Sequence, residues 1–356
     1  MNSQNNREMI DSIPWKYQRG NRNAITDVQH IKVGHLTVSK DLLDRSGKKI
    51  MIRTGLTAVF PADMRKEERF FTGFLQSRGI NDISGYAVVE DFQYLNSPIV
   101  LSNIHNFGAV YNAILSYGFN LGRSEIWPPI VVSLDDSSLD GSKESSVTES
   151  DVLKLLASAS SGSVAEGSVG IGTGLQTFGW KGGIGSSSRT FTVDERLFTV
   201  GALVAANFGN GQGLAERIAG ADLENRAPHE TGSLAMILGT DVPLLPYQIK
   251  RIVFDTVLSL PLATVANRDK DSLICLLFSV ANAMSMKDEG PRLFRYTLSS
   301  DAVLKQAADA ASESVKEAIL RSICLSKPLD GIWGEKVRAM PGSLFRAILE
   351  NFKKSV

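Results

Sequence analysis

The sequence predicts one α/β sandwich domain. Strand-like and helix-like segments are interspersed along the chain, no repeat or low-complexity linker divides them, and the composition is that of an ordinary globular protein. The 356 residues are 43% hydrophobic and 21% charged, which is enough apolar material for a sizeable core.

The elements follow in chain order. Residues 1–22 are polar and predict a flexible segment; the single domain is expected over 23–356. Ile25–Val38 has β-branched residues around a glycine and predicts a turn and then a strand. Thr54–Phe60, Ser97–Asn103 and Ile130–Leu134 predict further strands, and Gly108–Tyr117 a helix with an apolar face. Asp135–Glu149 is rich in Ser, Asp and Gly and predicts an exposed loop. Ser150 is a candidate N-cap for a helix to Ser158. Gly167–Arg189 is dense in glycine. The apolar runs Phe198–Asn207 and Ser233–Gly239 predict buried strands, separated by a loop-like stretch. Pro246–Leu258 and Ala302–Ser322 predict helices. Leu273–Met284 fits a strand or a buried helix equally, because a short apolar run has no decisive period.

Bulk properties exclude several classes. Lysine plus arginine, at 38, equals aspartate plus glutamate, so the basic excess of a nucleic-acid binder is missing. No apolar run reaches the length of a membrane span, and the polar N-terminus lacks the apolar core of a signal peptide. A cytoplasmic protein is therefore expected. Cys275 and Cys324 sit in apolar stretches and predict buried thiols rather than a disulfide or zinc site. The four histidines, His30, His35, His105 and His229, have no metal-ligand spacing. His229 lies four residues before Ser233, where a loop role and assistance to chain cleavage both remain open.

Three glycine clusters invite a nucleotide reading: Gly170–Gly174, Lys181–Gly185 and Gly209–Gly213. None follows a strand and opens a helix as a dinucleotide fingerprint must, and Lys181 precedes its glycines, the reverse of a phosphate-binding loop. Tight turns and close backbone approach are the expected use of these glycines.

Taken in order, NAITDVQHIKVGH, RTGLTAVFP, SPIVLSN, EGSVGIGTG, FGWKGGIGSSSR, VGALVAANFG and TGSLAMILGTDVPLLPYQIKR resemble the L-aminopeptidase/D-esterase and β-peptidyl aminopeptidase family over about residues 23–350. The resemblance implies a four-layer αββα sandwich. It implies a precursor that cuts itself ahead of a serine, here Gly232–Ser233, giving an α chain 1–232 and a β chain 233–356. It further implies removal of N-terminal residues from small peptides, amides or esters, oligomers of αβ units, and no metal or organic cofactor.

The chemistry explains why such residues would be needed. A serine hydroxyl is a weak nucleophile and needs a base. A free α-amine titrates at about 7.7–8.0, so cleavage before Ser233 would supply that base from the same residue. Gly232 has no side chain to obstruct the bond and tolerates strained dihedrals. The run Leu234–Leu238 would hold Ser233 on a rigid strand. By resemblance, the Asn207 amide donates to the developing oxyanion.

Three positions depart from the family pattern. Leu134 stands about where relatives carry a glutamate for the substrate ammonium, and Asp135 about where they carry a tyrosine; Asp135 or Asp136 is a candidate acceptor for that ammonium. Before the strand at Leu273, relatives carry a serine and an acid. Here an ungapped match puts Asp271 and Leu273 at those positions, and a two-residue slip puts Asp269 and Asp271 there. Asn81 and Asp82 keep only the acidic character of a glycine-glutamate pair. The leading reading is a self-processing N-terminal-serine aminopeptidase or amidase. Two alternatives are a catalytically impaired relative acting as an oligomeric binding or structural protein, and an acyltransferase of the related sandwich type, against which the serine counts.

Overall fold

The strands alternate the faces they bury, and that alternation stacks two sheets. The computed structural model describes residues 3–43, 46–77, 82–122, 128–209, 232–260, 271–285, 293–332 and 336–353. Its long strands are β1 (Lys32–Leu43), β2 (Lys49–Phe60), β3 (Glu68–Ser77), β4 (Ile99–Asn103), β5 (Ile130–Leu134), β6 (Gly183–Val193), β7 (Arg196–Asn207), β8 (Gly232–Thr240) and β9 (Asp271–Ser279). One sheet runs β1-β2-β4-β5, antiparallel except for the parallel pair β4 and β5. The other runs β3-β9-β8-β7-β6, antiparallel except for β9 and β8, with two-residue strands at its β3 edge.

Helices cover the outer faces. α1 (Ser3–Asp11), α5 (Pro246–Leu258), α6 (Asp301–Cys324) and α7 (Gly342–Lys353) lie on the larger sheet, and α3 (Phe107–Asn120) and α4 (Glu149–Ser158) on the smaller one; α2 (Tyr86–Phe92) follows β3. Residue parity sorts the core. Val204, Leu234, Met236, Cys275 and Leu277 face the helices, whereas Leu203, Ala205, Ala235, Ile237, Ile274 and Leu276 face the smaller sheet. The expected αββα sandwich is the observed architecture.

Several expectations change in detail. Leu273–Met284 resolves as a strand, β9, ending at Ser279. The helix at 149–158 is capped by Thr148, not Ser150: the Thr148 hydroxyl accepts the Asp151 N–H, and the Asp151 carboxylate accepts the Thr148 N–H. Part of the glycine-dense stretch is the buried strand β6. Its serines are tolerated inside because each finds a partner, as when Ser186 donates to the Ala202 carbonyl and Ser187 to that of Ser314. Cys275 and Cys324 are buried free thiols, and burial raises the pKa of both, that of Cys324 to about 12.

The polar segment at 1–22, expected to be flexible, makes contacts with the body of the fold. Ile10 and Ile13 are buried in the helix-side core. The N–H groups of Lys16 and Tyr17 donate to Glu313, and Arg19 donates to Glu317 at 3.1 Å. The segment thus combines an exposed polar face, including Arg7, Glu8, Asp11 and Lys16, with anchors into the fold at Ile10, Ile13 and Arg19.

Candidate active site

The sheet architecture brings two predicted residues, Ser233 and Asn207, and a third, Ser272, to one strand end. Ser233 is the second residue of β8, with Asn207, the last residue of β7, directly opposite, and it pairs with Ser272 on β9. All three are almost fully buried. Alternation points their side chains toward the smaller sheet, in register with Ala235, Ala205 and Ile274. There they meet the turn after β5. The N–H of Asp135 reaches the Ser233 Oγ at 3.4 Å, and Nδ2 of Asn207 donates to the Asp135 carbonyl.

Asn207 is oriented from behind. Its Oδ1 accepts the N–H of Gln176 at 2.7 Å, which assigns Oδ1 to that side and turns Nδ2 toward the nucleophile. An amide has two N–H groups; one is used on Asp135, and the second is free in kind to serve an oxyanion.

Asp271 sits differently from Ser233. It pairs with Gly232 and faces the helix layer with Leu273 and Cys275. Its Oδ2 accepts the Gly209 N–H at 2.8 Å, and a side chain on Gly232 would come within 2.8 Å of Oδ1. Its carboxylate thus lies against the residue that would carry the acyl group in self-cleavage. Leu273 packs among helix-side hydrophobes and has no polar role. The residue of β9 sharing the face of Ser233 is Ser272, which no motif in the sequence marks. Only the parallel register of β8 and β9 makes it visible.

Gly232 is required for space rather than for dihedral freedom. Its φ is not positive, but a Cβ would lie 2.2 Å from the Asn207 carbonyl oxygen. Any side chain would push β8 away from β7 at the nucleophile.

The two candidate ammonium acceptors diverge. Leu134 is buried in the inter-sheet core. Asp136 is buried too, with both oxygens 3.2 Å from the Asn103 amide nitrogen; burial, reinforced by Asp140, raises its pKa well above the usual carboxylate range. Asp136 is thus engaged by Asn103 inside the fold, whereas its neighbour is partly open to solvent. Asp135 is half-buried, and its Oδ1 accepts the Ser137 N–H at 3.0 Å. The Asp82 N–H donates to Ser133 Oγ at 2.8 Å. Asn81, Asp269 and His229 lie outside the described residues.

The lysine that opened a glycine cluster is used internally. Lys181 is fully buried, burial lowers its pKa to about 7, and Nζ donates to three main-chain carbonyls. It has no exposed donor for a phosphate. Among the described residues no group of three His, Cys, Asp or Glu side chains is placed to hold a metal ion, and no helix is long and apolar enough to cross a membrane.

Comparison with known proteins sets this geometry in a family. Residues 23–337 match the model of "Peptidase family S58". The chain is 30% identical over 366 residues to the β-peptidyl aminopeptidase of Sphingosinicella microcystinivorans, covering 96% of this chain and 91% of the relative. Its counterpart from Sphingosinicella xenopeptidilytica is 27% identical, covering 95% and 89%. Among solved structures, a β-aminopeptidase of Burkholderia sp. superposes with a TM-score of 0.84 at 29% identity, covering 97% of this chain and 98% of that one. The L-aminopeptidase D-Ala-esterase/amidase of Ochrobactrum anthropi, described as a serine aminopeptidase with a variant of the Ntn hydrolase fold, superposes with a TM-score of 0.84 at 28% identity over 98% and 99%.

Proposed function

The chain belongs to peptidase family S58 and is a self-processing serine aminopeptidase/amidase, and from that premise we propose that its nucleophile is Ser233, released by cleavage of Gly232–Ser233. The observation that carries this assignment is the pairing of Ser233 with Asn207 across β8 and β7, beneath the Asp135 peptide.

Self-cleavage begins when the Ser233 Oγ attacks the Gly232 carbonyl carbon. The C–N bond breaks, the hydroxyl proton passes to the departing nitrogen, and Gly232 is left as an ester on Oγ. Water then hydrolyses the ester, so the α chain leaves with a Gly232 carboxylate and Ser233 keeps a free amine. In turnover that amine takes the hydroxyl proton as Oγ attacks the substrate carbonyl, and returns it to the leaving amine or alcohol; water then hydrolyses the acyl ester on Oγ, releasing the carboxylic acid and restoring the Ser233 hydroxyl. Nδ2 of Asn207 stabilises the oxyanion in each step. Asp271, lying against Gly232, orients the scissile peptide through its contacts at this strand end. The half-buried Asp135 carboxylate takes the substrate ammonium in place of the absent glutamate.

The substrate is a small peptide, amide or ester with a free N-terminal amine. The β-peptidyl and L-aminoacyl names of the relatives make β-alanyl and L-alanyl compounds the first to try. The active form is an oligomer of αβ units; the exposed apolar side chains Tyr247, Phe254 and Leu258 on α5, with Leu293 and Phe294 nearby in sequence to β9, support assembly. The test is a panel of β-alanyl and L-alanyl p-nitroanilides, each with and without an N-acetyl group. Hydrolysis of the free-amine members, lost in Ser233→Ala, is expected. Equal turnover of acetylated and free members would reject the ammonium-recognition part. Full activity in Ser233→Ala would reject the nucleophile.

A further inference from the structure

Lys181 is a buried cation that the chemistry above leaves unused. Nζ donates to the Gly172 carbonyl at 2.7 Å, the Leu175 carbonyl at 2.8 Å and the Gly182 carbonyl at 2.7 Å, so each ammonium proton has an acceptor. A buried cation is costly, and an apolar side chain could fill the same space. The ammonium's particular effect is to tie the turn Gly170–Gly174 to the short antiparallel pair Gln176–Thr177 and Trp180–Lys181.

The critical acceptor is Leu175. Its carbonyl is held from two directions, by Lys181 Nζ and by the Gly182 N–H at 3.0 Å. That carbonyl and the Gln176 N–H belong to one planar trans peptide, so fixing the oxygen also fixes where the N–H points. It points at Oδ1 of Asn207. Thr177 adds a second tie by donating to the carbonyl of Ala206, the residue before Asn207, at 3.0 Å.

We propose that Lys181 is a positioning residue for catalysis: its ammonium fixes the Leu175–Gln176 peptide plane, and the Gln176 N–H in turn holds the Asn207 amide with Nδ2 toward Ser233. This rests on the reading of Asn207 as the oxyanion donor. Lys181 touches neither substrate nor nucleophile, so its removal should lower kcat and spare KM.

The experiment is a double-mutant cycle with Lys181→Met and Asn207→Ala, read as kcat and KM on the alanyl p-nitroanilide that the wild-type enzyme turns over fastest. Methionine keeps an unbranched stem and removes all three donors. Asn207→Ala is expected to lose roughly 10²–10³ in kcat, as for other side-chain oxyanion donors. Lys181→Met should lose about 10-fold or more in kcat in the wild-type background and less than about 3-fold when Asn207 is already alanine, the non-additivity of residues acting as a unit. KM should stay within about 3-fold in both backgrounds. Equal losses in the two backgrounds, or wild-type kcat in a folded Lys181→Met, would overturn the proposal alone. Wild-type kcat in Asn207→Ala would overturn the oxyanion reading and this proposal together. If Lys181→Met fails to fold by circular dichroism, Gln176→Pro replaces it in the cycle, because it removes the N–H to Asn207 and leaves the lysine in place. The same non-additive loss is then expected, and additive loss or none overturns the proposal.

Discussion

Asp135 and Asp136 are adjacent carboxylates in opposite surroundings. Asp136 is buried against Asn103 and Asp140, and burial pushes its pKa upward; Asp135 stands half-buried beside the nucleophile. Asp135→Asn should therefore raise KM for free-amine substrates by about 10-fold, the scale of one charge-assisted hydrogen bond, and leave N-acetylated ones unchanged. Asp136→Asn should leave that KM ratio as it is. Steady-state kinetics on matched substrates decides, and a KM ratio unmoved by Asp135→Asn would remove this side chain from amine recognition. His35 offers a different test. It is enclosed beside Thr57, with Nδ1 3.0 Å from the threonine hydroxyl, and burial lowers its pKa from 6.5 to about 4. The neutral ring is thus favoured in the folded state. The stability it contributes is complete above the unfolded value, about 6.5, and is lost as pH falls toward 4. Thermal melts from pH 7 to pH 4 should show Tm falling with pH more steeply in the wild type than in His35→Leu. Parallel slopes would contradict the assignment.

Helix α6 shows how charge is used inside the fold. Glu317 is fully buried and accepts from Arg189 at 2.7 Å, Arg19 at 3.1 Å and Asn23 at 2.6 Å, joining β6 and the N-terminal segment to the helix. Removing one member leaves buried Arg189 with part of its charge uncompensated, which typically costs about 3–5 kcal/mol. Glu317→Ala should lower unfolding free energy by about that amount in a denaturant titration. A loss below about 1 kcal/mol would mean that the network adds little. The same elements show what was legible in the sequence. β7 and β8 announce themselves as unbroken apolar runs because both faces are covered. β6 does not, since its serines and Arg189 are buried with partners far along the chain. The N-terminal segment misleads for the same reason: its polar groups face Glu313 and Glu317, roughly 300 residues away in sequence. Ser233, Gly232 and Asn207 stand in a recognisable motif order. Ser272 and Gln176 do not, because strand register and main-chain hydrogen bonds place them; Lys181 lies in a recognisable motif, but its three carbonyl partners show only in the fold.

At the scale of the molecule, two sheets meet face to face, and the strand ends of the larger one carry the site against the turn after β5. The proposal for the whole chain is that this sandwich assembles uncut and then opens at one bond. Buried pairing on both sides of β8 would keep Ser233 in place afterwards, since its register with Asn207 and Ser272 does not depend on the bond to Gly232. The most direct measurement is intact-mass spectrometry, with N-terminal sequencing of any fragment, on protein held at neutral pH. The account predicts two chains, the smaller beginning Ser-Leu-Ala-Met at Ser233, and a Ser233→Ala variant that stays whole. A wild-type chain that remains full length after long incubation, or a fragment beginning at any other residue, would contradict it.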